Sequence, residues 1–111
     1  MCRKFHGAAY ATIAGVGRSK FRWVEGEEAL TGYTAENGTT RTFCHHCGAS
    51  LSFSSPRAPQ GIIEIALGAL DGDVPVEPDA HIFVGSRANW TVFNDDLPLY
   101  EEGRGSATVK R

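Results

Sequence analysis

The chain has 111 residues, of which 41% are hydrophobic and 22% are charged, so residues 1–111 fit one ordinary globular domain. Thirteen acidic and eleven basic residues give a formal net charge of −2 without a basic stripe, which excludes an electrostatic nucleic-acid binder. The longest apolar runs are too short to span a membrane, and no signal peptide opens the sequence. We therefore expect a cytoplasmic protein with no nucleic-acid or membrane partner.

Short runs rich in β-branched and aromatic residues recur along the chain, separated by thirteen glycines and five prolines. Helical periodicity is nearly absent, so the pattern predicts an all-β fold of packed antiparallel sheets. The predicted strands, in chain order, are residues 10–14, 21–24, 29–33, 39–43, 51–54, 62–67 and 80–84, with a last strand or irregular segment at 90–93. One helical turn is expected at 18–20, and residues 101–111 are expected to form a flexible tail.

Asn37-Gly38 predicts a β-hairpin, because both residues tolerate the positive φ of a type I′ turn. The second strand of this hairpin leads directly to Cys44. The run Ile62–Leu67 is the most apolar of the predicted strands, and we expect it to be central in the sheet.

Cys44 and Cys47 are separated by two residues and followed by Gly48, a pattern typical of a zinc knuckle. The glycine permits the positive φ that turns backbone amides toward the thiolates. A closed zinc site needs four ligands, and this pair supplies two. Two alternatives are a pair of core cysteines and a redox-active disulfide, although the latter is usually found in a βαβ setting that this sequence lacks.

Several other residues could carry chemistry. His45 and His46 lie inside the knuckle, where side chains usually point outward, so we expect neither to be a ligand. Cys2 stands beside two cations that favour its thiolate, or it is a disordered terminal thiol.

Three further positions have both a functional and a structural interpretation. His81 is either catalytic or a histidine at the edge of the core. Asp95 and Asp96 are either paired carboxylates or the start of a turn before Leu97-Pro98. Trp90 is expected to lie in the core.

An ordered series of motifs covers residues 2–100: CRK at 2–4, GAAY at 7–10, FCHHCGASL at 43–51, ALGALD at 66–71, AHIFV at 80–84 and DDLPLY at 95–100. This series resembles the glutathione-dependent formaldehyde-activating enzyme family, which also includes centromere-protein-V-like proteins. The resemblance implies a zinc-dependent carbon–sulfur lyase that joins glutathione and formaldehyde to S-(hydroxymethyl)glutathione. Most members are uncharacterised, and their substrates vary.

The resemblance also implies two zinc sites. In the structural site, Cys44 and Cys47 match the later cysteine pair, which is joined by an N-terminal Cys-x-Cys pair. In the catalytic site, Cys2 matches the last cysteine of a Cys-x-Cys-x-x-Cys motif. Arg3 and Lys4 follow it and are placed to bind a glutathione carboxylate.

The sequence departs from the family pattern at its start, since it begins where the catalytic cysteine motif ends. By the resemblance, two of four structural ligands and one of three catalytic ligands are present. Three explanations remain. The sequence has been assigned a start at an internal methionine, the protein is a degenerate member that has lost the catalytic metal, or a symmetric dimer supplies ligands in trans. We favour the first, because the rest of the pattern is well kept.

On this count we expect the chain as written to be an impaired lyase, with Cys2, Cys44 and Cys47 as its remaining metal ligands. The alternative is a non-enzymatic β module that binds a protein partner or forms a homodimer. An exposed sheet edge, left by absent N-terminal strands, would supply its binding surface.

Overall fold

The computed structural model describes residues 2–111. The chain forms two compact units: one comprises residues up to Tyr10 together with Pro75–Arg111, and the other comprises Ala11–Val74. The regular elements are α1 (Cys2–His6), β1 (Ile13–Gly17), β2 (Leu30–Thr34), β3 (Thr40–Cys44), β4 (Ser50–Ser54) and β5 (Ile62–Ala66). Single 3-10 turns occur at Arg18–Lys20, Glu27–Ala29, Leu67–Ala69 and Val84–Ser86.

The unit Ala11–Val74 is built on a five-stranded antiparallel sheet with the order β1-β5-β4-β3-β2. Strands β2 to β5 follow one another as a meander, and β1 pairs with the remaining side of β5. The all-β prediction is therefore confirmed. No helix in the described part of the chain is long and apolar enough to cross a membrane.

Five predicted elements are found close to their expected positions: β2, β3, β4 and β5, and the helical turn at Arg18–Lys20. The first strand lies three residues later than predicted, at Ile13–Gly17. The prediction stopped short because glycine is a poor strand former. In the sheet, however, Gly15 lies opposite Glu64, and a Cβ at this glycine would meet Ile62 Cγ2 at 3.3 Å, so the small residue suits the pairing.

Four local predictions are wrong. The predicted strands Phe21–Val24 and Ala80–Val84 are irregular apart from a bridge between His81 and Leu99 and the 3-10 turn that begins at Val84. Trp90 is 60% exposed rather than in the core. The strand β5 is internal but not central, because β4 occupies the middle of the sheet.

The hairpin at Asn37-Gly38 is present, but its turn type differs from the prediction. Gly38 has φ +85°, whereas Phe83 is the single non-glycine residue with positive φ in residues 2–111, so Asn37 keeps a negative φ. The Gly38 amide donates to the Ala35 carbonyl at 2.9 Å, and the Ala35 amide donates to Thr39 at 2.9 Å. These bonds describe a type I turn followed by a glycine bulge, in which Asn37 Oδ1 accepts from the Thr39 amide at 3.0 Å.

Each unit has its own small buried core. In the sheet unit, Ile63 and Ala66 of β5 are buried, together with three polar side chains, Thr39, Arg41 and Ser52. In the other unit, Val84 is 1% exposed, and Ala88 and Leu99 are also buried. Such small apolar cores give little stability by burial alone.

The segment 101–111, expected to be a flexible tail, is hydrogen-bonded within itself and to earlier residues of its unit. The Glu101 amide donates to the Ala107 carbonyl at 2.8 Å, and the Val109 amide donates to the Leu99 carbonyl at 2.8 Å. Arg111 donates from one guanidinium nitrogen to the Phe93 carbonyl at 3.4 Å. The apolar count of this segment did not indicate these contacts, because they are made mainly by the backbone.

We predict that Gly38→Ala lowers the free energy of unfolding by about 2 kcal/mol or more, since left-handed φ alone costs an L-residue roughly 1–2 kcal/mol. An added Cβ would also lie 2.7 Å from Pro56 Cγ, a ring atom that cannot swing aside. Gly72→Ala is the matched control, because Gly72 has φ +73° with no atom within 4 Å of the added Cβ. Urea unfolding of both variants measures the difference, and equal losses would contradict the role of the Pro56 contact.

Candidate functional site

The two cysteines of the Cys-x-x-Cys motif lie side by side at one end of the sheet. Strand β3 ends at Cys44, a tight turn follows, and β4 begins at Ser50. The Gly48 amide donates to the Cys44 carbonyl at 2.7 Å, and the Cys44 amide donates to the Ala49 carbonyl at 3.0 Å. Gly48 has φ +78°, as expected for the residue that closes such a turn.

The turn favours a thiolate at Cys44. The backbone amide of Cys47 and then that of His46 donate to the Cys44 sulfur, and together with the Cys47 thiol they lower the pKa of Cys44 from its ordinary value. Cys44 is half-buried and Cys47 is exposed. None of the three cysteines of the chain forms a disulfide. The arrangement therefore offers two neighbouring sulfur donors, and the backbone amides favour the thiolate form of one of them, Cys44.

The two histidines of the turn are exposed, and their rings contact each other with centroids 4.3 Å apart. No group of three His, Cys, Asp or Glu side chains able to hold a metal ion occurs among the described residues. The turn thus fits half of a tetrahedral zinc site, and residues 2–111 do not complete it. The prediction that His45 and His46 are not ligands stays a prediction.

The N-terminal candidates form a separate group. Cys2 begins α1, where it is half-buried, and Arg3 and Lys4 follow it with exposed side chains. The helix ends at His6, the next residue Gly7 has φ +65°, and the Ala8 amide donates to the Arg3 carbonyl at 3.2 Å. Sequence reasoning left Cys2 either as a disordered terminal thiol or as a thiolate between cations. The structure places it in a helical turn of the unit that also contains Pro75–Arg111.

The same unit contains a cluster around His81 that sequence reasoning did not assemble. His81 Nε2 lies 2.8 Å from Asp95 Oδ2, and an Arg111 guanidinium nitrogen lies 3.2 Å from Asp95 Oδ1. Asp95 also caps the turn predicted before Leu97-Pro98, because its Oδ1 accepts from the Leu97 amide at 3.0 Å. The turn interpretation of Asp95 is confirmed, and its contacts with His81 and Arg111 are additional to it.

Aromatic rings hold the imidazole of His81 in place. The Phe93 ring lies 4.2 Å from it by centroid, and the Tyr10 ring meets it edge-on at 5.7 Å. The backbone of His81 is fixed as well, since its amide donates to Pro98 and its carbonyl accepts from Tyr100, both at 2.9 Å. The side chain is 11% exposed, whereas that of Asp95 is 45% exposed.

The charge of Asp95 is stabilised by its neighbours. The hydrogen bond with the His81 ring, followed by the Leu97 amide, the charge of His81 and the Arg111 guanidinium, lowers the pKa of Asp95 from its ordinary value despite some desolvation. No local pattern predicts this pair, because its members are separated by fourteen residues. A histidine and an acidic turn were each visible in the sequence, but their contact depends on tertiary structure.

A cavity of about 180 Å³ lies in the sheet unit and is lined in part by Arg18, Trp23, Thr42 and Ser52. None of the predicted site residues lines it. We therefore place the candidate chemistry at the cysteine turn, at Cys2–Lys4 and at the His81 cluster.

Comparison with known proteins yields one family. The family model described as glutathione-dependent formaldehyde-activating enzyme matches residues 1–86. No curated protein matches the chain. The matched segment includes Cys2, Cys44, Cys47 and His81, whereas Asp95 and Arg111 lie beyond it.

We predict that Asp95→Asn lowers the free energy of unfolding at neutral pH more than Asp96→Asn does. Asp96 is a matched control, because its carboxylate makes no ion pair or hydrogen bond with the residues that the structure describes. Since the pKa of Asp95 lies below the ordinary 3.8 in the folded chain, its stabilising effect is present above pH 3.8 and is lost as the pH falls through the folded-state pKa.

The gap in stability between the wild type and Asp95→Asn should therefore close in acid. Urea unfolding at neutral pH and at several pH values below 3.8 measures it. A gap that stays constant across this range would mean that the charge of Asp95 contributes nothing.

Proposed function

The chain belongs to the glutathione-dependent formaldehyde-activating enzyme family, and we propose that it acts on the adduct of glutathione with formaldehyde or a related aldehyde as a carbon–sulfur lyase. The observation that carries this proposal is the family match over residues 1–86, which contains all three cysteines. The well-formed Cys44–Cys47 turn supports it, because a thiolate-stabilising turn is what a zinc site at this position requires.

We propose that Cys44 and Cys47 contribute to a structural zinc site, and that the remaining ligands come from outside residues 2–111, either in the same polypeptide or from a second copy. Zinc held by four ligands would fix the end of the β3–β4 hairpin. Turnover by residues 2–111 alone is low on this proposal, because they bring together two metal-binding side chains rather than a complete set.

The proposed substrate-binding residues are Arg3 and Lys4, with Cys2 as the proposed catalytic metal ligand. Both cations are exposed and follow the thiol directly in α1, so a glutathione carboxylate can reach them. A guanidinium offers a paired donor arrangement that matches a carboxylate, which favours Arg3 as the stronger contact.

A non-enzymatic module that binds a protein partner is the second candidate. One observation favours it: the unit with Pro75–Arg111 exposes the large apolar side chains of Ile82, Phe83, Trp90 and Val92. Such side chains in one unit are typical of a protein-binding surface when they form a patch. Binding of glutathione to the chain distinguishes the two candidates, since this module has no need of the tripeptide.

We predict that the protein purified without chelator carries zinc, and that Cys44→Ser or Cys47→Ser removes most of it, because each loses a sulfur donor. The matched controls are His45→Ala and His46→Ala, which change exposed residues of the same turn and should retain the metal. Native mass spectrometry gives the zinc content per chain. Loss of zinc in a histidine variant would contradict the proposed ligand set, and a metal-free, folded wild type would overturn the zinc site.

We also predict that Arg3→Ala weakens glutathione binding about tenfold, as expected for the loss of one charge-assisted hydrogen bond of roughly 1.5 kcal/mol. Arg57→Ala is the control, because Arg57 is an exposed arginine of the other unit. Isothermal titration calorimetry with glutathione measures the affinity of each variant. Equal affinities in the two variants would exclude Arg3 from the binding site, and the absence of binding to the wild type would favour the module.

A further inference from the structure

We propose that His81 is the proton-transferring residue of this chain and that Asp95 and Arg111 position it. The ligand that it would take is a thiol, with an aldehyde as the acceptor. This inference rests on the proposed function and extends it, because the zinc ligands and the Cys2–Lys4 segment supply no proton acceptor.

The geometry selects one tautomer of the His81 ring. The hydrogen bond with the His81 ring, then the Leu97 amide and the Arg111 guanidinium 3.2 Å away, lower the pKa of Asp95, and the carboxylate accepts a hydrogen bond from Nε2 at 2.8 Å. A proton on Nε2 leaves Nδ1 as the lone-pair nitrogen of the neutral ring. The same carboxylate stabilises the imidazolium that forms when Nδ1 takes up a proton.

The second ring nitrogen is open to a ligand. Nδ1 makes no hydrogen bond with residues 2–111, and it is not among the fully buried atoms that lack a partner, so it retains some exposure. The rest of the ring is covered, since the side chain is only 11% exposed and lies against Phe93 and Tyr10. An imidazole held on its faces and at one nitrogen, with the other nitrogen accessible, has the arrangement of a general base.

The charged and titratable groups that contact this pair are few. Asp95 faces Nε2, and Arg111 contacts Asp95. The third group is Tyr10, whose phenol ring lies edge-on to the imidazole. None of them contacts Nδ1. Asp95 and Arg111 act through His81 and are positioning residues.

Local backbone strain adjoins the cluster. Phe83, two residues after His81, has φ +56°, which is unfavourable for a bulky side chain. Its amide donates to the Glu102 carbonyl at 2.8 Å, and the next amide, that of Val84, donates to the Tyr100 carbonyl at 3.0 Å. These bonds hold the segment 81–84 against residues 99–102, so the orientation of His81 is fixed before a ligand arrives.

The proposed step balances without an external oxidant or reductant. Nδ1 accepts the proton of the thiol S–H bond while the sulfur electron pair forms the new C–S bond with the aldehyde carbon. The π electrons of the C=O bond move to oxygen, and the imidazolium returns the proton there to give the hydroxymethyl thioether. In the reverse direction the same nitrogen takes the hydroxyl proton and returns it to sulfur as the C–S bond breaks.

The first test measures the exchange of glutathione and formaldehyde with their adduct by NMR exchange spectroscopy, with the rate of the uncatalysed reaction subtracted. We expect His81→Gln to lower the protein-dependent rate about a hundredfold or more, the usual contribution of a general base, and to remove its acid limb in the pH–rate profile. Asp95→Asn should lower the rate less. Asp96→Asn, a neighbouring carboxylate outside the cluster, should keep the wild-type rate and profile.

A wild-type rate in His81→Gln overturns the proposal. A lower rate with an unchanged pH profile also overturns it, because a purely structural role gives that result. If His81→Gln does not fold, Asp95→Asn and the wild-type measurement below still decide.

The second test follows the imidazole nitrogens of His81 in wild-type protein by long-range ¹H–¹⁵N NMR, with glutathione and S-methylglutathione as probes. Glutathione should shift Nδ1, whereas S-methylglutathione, which has no thiol proton, should shift backbone amides but leave Nδ1 unchanged. Amide shifts with glutathione but no change at Nδ1 would sink the role of His81 and leave the proposed function intact. No shift of any resonance on addition of glutathione would overturn both.

Discussion

The hydrogen bond from the Gly48 amide to the Cys44 carbonyl, 2.7 Å long, is the contact on which the sheet and the cysteine site both depend. It closes the turn between β3 and β4, and these strands lie in the interior of the sheet, where each is paired on both sides. The register of the two strands shifts between Thr42 and Phe43, just before the turn. This irregularity allows the strand pairing to continue into the turn. The same closure directs two amides at the Cys44 sulfur. A substitution that prevented the left-handed φ of Gly48 would therefore disturb strand pairing and thiolate stabilisation together.

Much of the sheet could be predicted because its signals are local. Alternation and β-branched content located β2, β3, β4 and β5 to within a residue or so, and turn residues separated them. The errors arose where tertiary contacts decide the conformation. Gly15 belongs to a strand because β5 lies beside it, and Ala80–Val84 fails as a strand because Phe83 turns the backbone after a single bridge to Leu99. The turn at Gly38 was located correctly, but its type was not. The Ala35 amide bonds to the Thr39 carbonyl, which makes Gly38 a bulge residue, and Gly38 lies close to Pro56.

In the candidate site, too, the sequence predicts local arrangements but not those that depend on tertiary contacts. Cys44 and Cys47 are readable from the sequence, because two ligands three positions apart require only one turn to bring them together. His81 and Asp95 could not be paired from the sequence, since fourteen residues separate them and the contact depends on a parallel bridge at Leu99 and an Asx turn at Leu97. Each had both a functional and a structural interpretation in the sequence, and for Asp95 the structural one, a turn, is correct as far as it goes. A single carboxylate here serves both a turn and a histidine, which a search for paired acids does not anticipate.

The charged groups around His81 determine which of its ring nitrogens accepts a proton. A histidine paired with a neutral side chain can exchange tautomers, so neither ring nitrogen is reserved for a ligand. Here the His81 ring, the Leu97 amide and Arg111 lower the pKa of Asp95. An ionised carboxylate can only accept at Nε2, so Nδ1 is left as the acceptor. The family match ends at residue 86, so it includes His81 but not the residues that fix its tautomer. The fixed tautomer is what makes this histidine a candidate base. It is therefore supplied by residues 95–111, which are hydrogen-bonded to their own unit.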